Sequence, residues 1–161
     1  MASYDDLIAD DVRRLGWSCL TIHDIDPPFA YTVGLMHSYS HPELIIFGRP
    51  NDDSAILTVL AAAIRDGSRI DEPNEYHLLD GFPIATRRVD ETQHEQHLGF
   101  AMGFLTGLGR IGELKAVQVF VSDMDGRYPF EPNCALSVYQ SQPRLDIPLT
   151  KSELDEWRRQ W

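Results

Sequence analysis

The densest set of side chains able to do chemistry lies in the run "PPFAYTVGLMHSYSHPELIIFG", residues 27–48. Within it, His37, His41 and Glu43 follow the spacing H-x3-H-x-E. Two neutral imidazoles and a carboxylate are a donor set for a divalent metal such as zinc, iron or manganese. On a helix, histidines four apart share a face. Pro42 opposes that geometry, because a residue before proline is pushed out of the α region. The expected arrangement is therefore a polar loop that gathers the three, with His94 and His97, three apart on an expected helix, able to complete the set. The plainer alternative is histidines that hydrogen-bond at the surface or within the fold. Tyr31 and Thr32 stand just upstream on a strand leading to Gly34. Their hydroxyls either point into a pocket at the strand end or pack across the sheet, where both residue types are at home.

A second cluster lies in "SDMDGRYPFE". Asp123, Asp125 and Gly126 resemble the opening of an oxygen-rich calcium loop, but the later ligands and terminal glutamate are missing at the required spacing. A turn closed by Asp and Gly accounts for the same residues. Arg127 beside them could hold a phosphate or carboxylate in its guanidinium fork; it could equally pair with Asp123 or Glu131. Cys19 and Cys134 are the only cysteines. So far apart, they make neither a disulfide framework nor a zinc motif, which points to reduced thiols. Cys19 falls in an expected strand, where a small apolar role fits. Ser38 and Ser40 lack the strand–turn–helix context of a nucleophile elbow. The glycines of "TGLGRIGEL" have the wrong spacing for a dinucleotide fingerprint and read as a connection.

The elements that must position these residues follow from periodicity. Ser3 caps a first helix with Asp5 and Asp6 in its opening turn; Leu7, Ile8, Val12 and Leu15 form its apolar face, and Gly16 ends it. "WSCLTIHD" and "FAYTVGL" read as two strands of a hairpin around Asp26-Pro27-Pro28. "ELIIFG" is a continuous apolar run, the pattern of a strand covered on both faces. "DDSAILTVLAAAIRDG" is the clearest helix, capped by Asp52, Asp53 or Ser54, burying Ile56, Leu57, Leu60, Ala61 and Ile64, and closed by Gly67. A short strand at His77–Leu79, a strand at "IATRRV" and a helix over "HEQHLGFAMGFL" follow. Gly99 and Gly103 weaken that helix by roughly 1 kcal/mol each and are expected to admit a close neighbour. "KAVQVFVS" is a strong strand, and Thr150 with Glu153 has capping-box spacing for a C-terminal helix. The expected class is α+β: one domain over residues 1–161, with a mainly antiparallel or mixed sheet and about four helices.

Two of these stretches, "PPFAYTVGL…HPELIIFG" and "VQVFVSDMDGRYPFEPNC" followed by "QPRL", resemble the two hallmarks of the DUF4262 family of bacterial domains. The helix ending in "RDG" and the "HLGFAMGFL" segment fit in order and spacing, so the resemblance runs from about Leu7 to Leu145. In the second hallmark the family leads one to expect a tryptophan-proline pair and a later tryptophan. This chain has Phe120 to Ser122 and Phe130 at those places. The resemblance implies a compact bacterial domain and supplies no reaction.

Charge narrows the function. A net charge of −11, with no basic cluster longer than a pair such as Arg87-Arg88, disfavours nucleic acid, whose phosphates repel a polyanion. There is no apolar signal core at the start and no run of the ~20 apolar residues that would span a bilayer, so a cytoplasmic location is expected. Two functions fit. The first is a protein-interaction module of immunity or accessory type, steered by its acidity toward a basic protein partner. The second is an enzyme, small-ligand binder or metal binder with its site between the two motif loops, which requires residues 31–43 and 123–131 to meet at one edge of a shared sheet.

Overall fold

The computed structural model describes residues 1–161 throughout, and the chain runs in this order: α1 (Tyr4–Leu15), β1 (Ser18–Ile22), β2 (Phe29–Val33), α2 (Leu35–Tyr39), β3 (Glu43–Phe47), α3 (Asp53–Arg65), β4 (Glu75–Tyr76), β5 (Ile84–Arg88), α4 (His94–His97), α5 (Gly99–Gly107), β6 (Ala116–Val121), α6 (Leu136–Ser141) and α7 (Lys151–Gln160). One mixed sheet has the order β1-β2-β3-β6-β5-β4, with β3 and β6 parallel and every other neighbour antiparallel. The class is α+β, as expected, but with seven α-helices rather than about four. Two segments, α2 and α6, are added, with only 5 and 6 residues, and one expected helix is split, giving the 4-residue α4 before α5. At that length no apolar periodicity can develop in the sequence.

Each face of the sheet carries its own core, because alternate residues of a strand point to opposite sides. Leu44 and Ile46 of β3 and Val117, Val119 and Val121 of β6 meet α3, whose Ile56, Leu57, Leu60, Ala61 and Ile64 are all buried. On the other side Phe29, Tyr31, Ile45 and Phe47 meet Ile8 and Val12 of α1 and Leu98, Ala101 and Leu105 around α5. The continuous apolar run of β3 is thus covered twice, and all five of its residues are buried. The hairpin of β1 and β2 has the register Ser18↔Val33 to Ile22↔Phe29.

Several local expectations shift. Helix α1 has the anticipated cap, with the Ser3 side chain accepting from Asp6 N–H and the Asp6 carboxylate from Ser3 N–H. Leu7 and Leu15, however, are half-exposed, because only the width of one stripe reaches the sheet. The expected strand at His77–Leu79 is displaced to Glu75–Tyr76, where pairing with Ala85 and Ile84 of β5 sets it. The segment "HEQHLGFAMGFL" breaks at Leu98 into α4 and α5. Gly99 and Gly103 admit no close neighbour: a Cβ at either would meet nothing within 4 Å. No helix is long and apolar enough to cross a membrane.

Candidate functional site

The register of β3 and β6 decides whether the two motif loops can cooperate. Glu43 pairs with Ala116 and Ile46 with Val119, so the loop entering β3 lies at the amino ends of both strands. Residues 123–131 leave β6 at its carboxyl end. With a rise of about 3.3 Å per residue, Asp123 stands roughly 20 Å along the sheet from Glu43. The two loops sit at opposite ends of the sheet, and the joint site expected between them does not form.

What each loop does instead is structural. Glu43 is 1% exposed, and both carboxylate oxygens are occupied. Oε1 accepts from the Thr32 hydroxyl at 2.9 Å and Leu35 N–H at 3.1 Å; Oε2 accepts from Gly34 N–H at 3.1 Å and Met36 N–H at 3.2 Å. The side chain therefore caps the start of α2 from inside the protein, satisfying amides that have no partner within the helix. Burial pushes its carboxyl up to about 7, against these four donors, which favour the ionised form. The Thr32 oxygen also accepts from Leu44 N–H at 2.9 Å, joining β2 to β3.

His41 is fully buried; Nδ1 donates to Pro42 C=O at 2.8 Å and Nε2 accepts from Ile70 N–H at 3.1 Å. Both ring nitrogens are used, and burial holds the ring below the usual imidazole range, so it is neutral. His37 is exposed on α2, with Nδ1 accepting from Arg110 at 3.0 Å. The three expected metal donors thus face different partners, and no group of three His, Cys, Asp or Glu side chains is placed to hold a metal ion. His97 cannot complete the set. Its ring stands edge-on to Phe29 and Phe47 at 5.6 and 5.7 Å, and Nδ1 donates to Gln93 C=O at 3.1 Å. Tyr31 is 1% exposed, its hydroxyl accepting from Phe100 N–H in the first turn of α5 at 3.0 Å, and burial pushes its pKa up to about 12.

The second loop is organised by one carboxylate. Asp123 Oδ1 accepts from Asp125 N–H and Arg127 N–H at 2.9 and 2.8 Å, while Oδ2 accepts from Ala135 N–H at 2.9 Å. These bonds hold its carboxyl below the usual carboxylate range. Arg127 pairs with Asp125 at 3.5 Å, neither with Asp123 nor with Glu131. Phe130 stacks on Tyr128 at 5.4 Å, meets Phe120 edge-on at 5.4 Å and lies under the Arg87 guanidinium at 3.7 Å. The place where a tryptophan was expected is thus a packing position, and phenylalanine fills it. Cys19 and Cys134 are free and half-buried, with thiols that burial pushes up.

The chemistry-bearing concavity lies elsewhere, at the basal end of the sheet. A cleft of about 490 Å³ opens beside the amino ends of β3 and β6 and the carboxyl end of β5. Its wall takes Met36, Ser40 and Pro42 from the first motif, joined by the charged Arg69, Asp71, Arg88, Glu91, Glu113 and Lys115 and by His94. Some of these charges are already paired. Arg69 meets Asp71 at 2.8 Å and reaches Ser40 C=O at 3.3 Å, and Arg110 holds Glu113 through two bonds at 2.6 and 2.8 Å. Those cations hold Asp71 and Glu113 below the usual carboxylate range. Arg88 touches Glu72 at 3.4 Å with both side chains exposed, a contact worth about 0–1 kcal/mol. Lys115 and Glu91 have no ion-pair partner within 4.0 Å. His94 Nε2 is buried without a hydrogen-bond partner, and burial holds the ring below the usual imidazole range.

Sequence reasoning named His94 but missed the charged residues around it. They come from segments up to about fifty residues apart, and nothing in their local spacing joins them. The only local cue is that Lys115, one of two lysines in the chain, stands directly before the strongest strand.

A mixed-sheet α+β domain emerges, with both sequence motifs built into its scaffold and a charged cleft at one end. The chain belongs to the family described as Domain of unknown function (DUF4262), whose model matches residues 11–135. Among curated proteins and among solved structures, nothing matches. Every residue lining the basal cleft falls inside the matched segment.

Proposed function

We propose that this domain binds a small charged ligand in the basal cleft, and that it recognises rather than transforms it. The observation that carries this reading is the convergence of six charged side chains, with His94 beside them, on one concavity of about 490 Å³. Its size lies within the range of ligand sites in proteins. Recognition is favoured over catalysis because the residues with the strongest chemical promise, Glu43, His41 and Thr32, are buried and saturated with hydrogen bonds. A hollow at the carboxyl ends of β3 and β6 is the general position for ligands in open parallel sheets. Here it is only about 260 Å³, and its one charged side chain, Arg49, is paired with Asp52 at 3.2 Å. A single parallel pair does not make such a sheet.

The test is thermal unfolding of the wild type and Lys115→Ala with orthophosphate, dicarboxylic acids and free amino acids. A ligand at about a hundred times its Kd adds about 2.7 kcal/mol, which raises Tm by roughly 5–10 °C for a domain of this size. The expected result is a rise for at least one ligand class in the wild type, reduced in Lys115→Ala. No rise with any class, or one that survives the substitution undiminished, sinks the reading.

A second reading, the interaction module, is favoured by a different observation. Asp123 ties its loop to residue 135; Met124 beside it is fully exposed, and Leu136 and Tyr139 on α6 are 67% and 53% exposed. Exposed large apolar side chains on an acidic molecule suit a protein partner with a basic rim. Affinity capture from the native host with wild type and Met124→Asp separates the readings; a stoichiometric partner lost in the variant supports this one.

A further inference from the structure

The two charges of the cleft without an ion-pair partner, Lys115 and Glu91, are of opposite sign. Val89 N–H donates to Ala116 C=O at 2.9 Å, so the end of β5 lies against the start of β6. Lys115 is one residue before that contact and Glu91 two residues after it. Both side chains line the cleft where these two strands end. Neither has a salt-bridge partner, while Asp71 and Glu113 are each held by an arginine. One turn further along from Glu91, His94 also lines the cleft. A ligand with only negative charge would leave Glu91 repelled, and one with only positive charge would do the same to Lys115.

We propose, resting on the small-ligand reading above, that the ligand is a zwitterion of the amino-acid class: a free amino acid or a short peptide with both termini unblocked. Its carboxylate pairs with Lys115 and its ammonium group with Glu91, each a charge-assisted hydrogen bond. The remaining volume of the cleft, walled by Met36, Leu114 and Val117, takes the side chain.

The experiment is calorimetric titration of the intact chain. The twenty L-amino acids and a set of unblocked dipeptides are screened first by thermal shift, and the best binder is then compared with its N-acetyl derivative and its amide. Expected results are at least tenfold weaker binding for each blocked form. Lys115→Ala should weaken the free ligand at least tenfold and leave the amide unchanged; Glu91→Gln should weaken the free ligand and leave the N-acetyl form unchanged. Both side chains lack ion-pair partners, so the variants should melt as the wild type does without ligand. Blocked forms that bind as tightly as the free ligand overturn the zwitterion. So does a wild type that responds to phosphate or dicarboxylates through Lys115 but to no amino acid or peptide; that outcome leaves the small-ligand reading standing. A chain that responds to nothing overturns both.

Discussion

Glu43 shows how a residue that looks catalytic by type can be committed to the fold. Its carboxylate receives four donors, three of them backbone amides at the entrance to α2. Glu43→Gln keeps the shape but turns an amide N–H toward Gly34 or Met36 N–H. That leaves a buried donor without an acceptor and should cost roughly 2–4 kcal/mol in urea unfolding. The pH dependence supplies a finer check. The folded carboxyl titrates at about 7 against an ordinary value of 4.5, so the native state binds the proton more tightly. This group's stabilisation is present in full below about 4.5 and is lost as pH rises through 7, at a slope of at most about 1.4 kcal/mol per unit. His41, His94 and His97 act the other way. Their folded values are depressed by burial, so their contribution is present above 6.5 and lost as pH falls. In the wild type the two slopes oppose each other. Removing the carboxyl in Glu43→Gln should expose the histidine slope, so the variant loses stability more steeply than wild type between pH 7 and 5. Parallel curves for the two proteins would show that Glu43 is ionised throughout.

At the scale of elements, glycine positions separate backbone need from accident. Gly34 joins β2 to α2 with φ 112°, a conformation that L side chains avoid. A Cβ there would lie 2.7 Å from Val12 Cγ2 and 3.0 Å from Gly16 C=O, both fixed by the packing of α1 on the sheet. Gly34→Ala therefore combines backbone strain with a steric clash and should cost about 2 kcal/mol or more. Gly103 has the opposite character, being exposed in the middle of α5 with open space where its Cβ would be. Gly103→Ala should stabilise by about 0.5–1 kcal/mol, because the helical conformation is kept and the unfolded chain loses freedom. Chemical denaturation of the two variants beside wild type should displace the midpoint in opposite directions.

On the scale of the whole molecule, the family segment ends before the fold does. Beyond residue 135, Gln142 donates to Val121 C=O at 2.8 Å and accepts from Val121 N–H at 2.9 Å. Gln118 of β6 reciprocates, accepting from Leu145 N–H at 2.9 Å and donating to Pro143 C=O. Leu145 is itself 2% exposed within the second core. Helix α7 is different: it buries no residue, and its Arg158 meets Glu95 at 2.9 Å with both side chains largely exposed. Deleting residues 151–161 should therefore lower stability by only about 1–2 kcal/mol, whereas truncation after residue 135 should prevent cooperative unfolding altogether. A shallow, non-cooperative melt for the shorter deletion would mean that α7 belongs to the core.

The local alphabet of the chain determined most of its architecture. The alternation of β6, the doubly covered run of β3, the buried stripe of α3 and the capping box of α1 all rest on interactions a few residues long, which periodicity reports directly. The site was a different matter. Whether His37, His41 and Glu43 share a metal, or residues 31–43 meet residues 123–131, depends on the parallel pairing of β3 with β6 and its register. That pairing joins residues more than seventy apart and leaves no trace in local spacing. Tertiary structure alone turned Glu43 inward to cap α2, sent the two motifs to opposite ends of the sheet, and brought Arg69, Glu91 and Lys115 around one cleft.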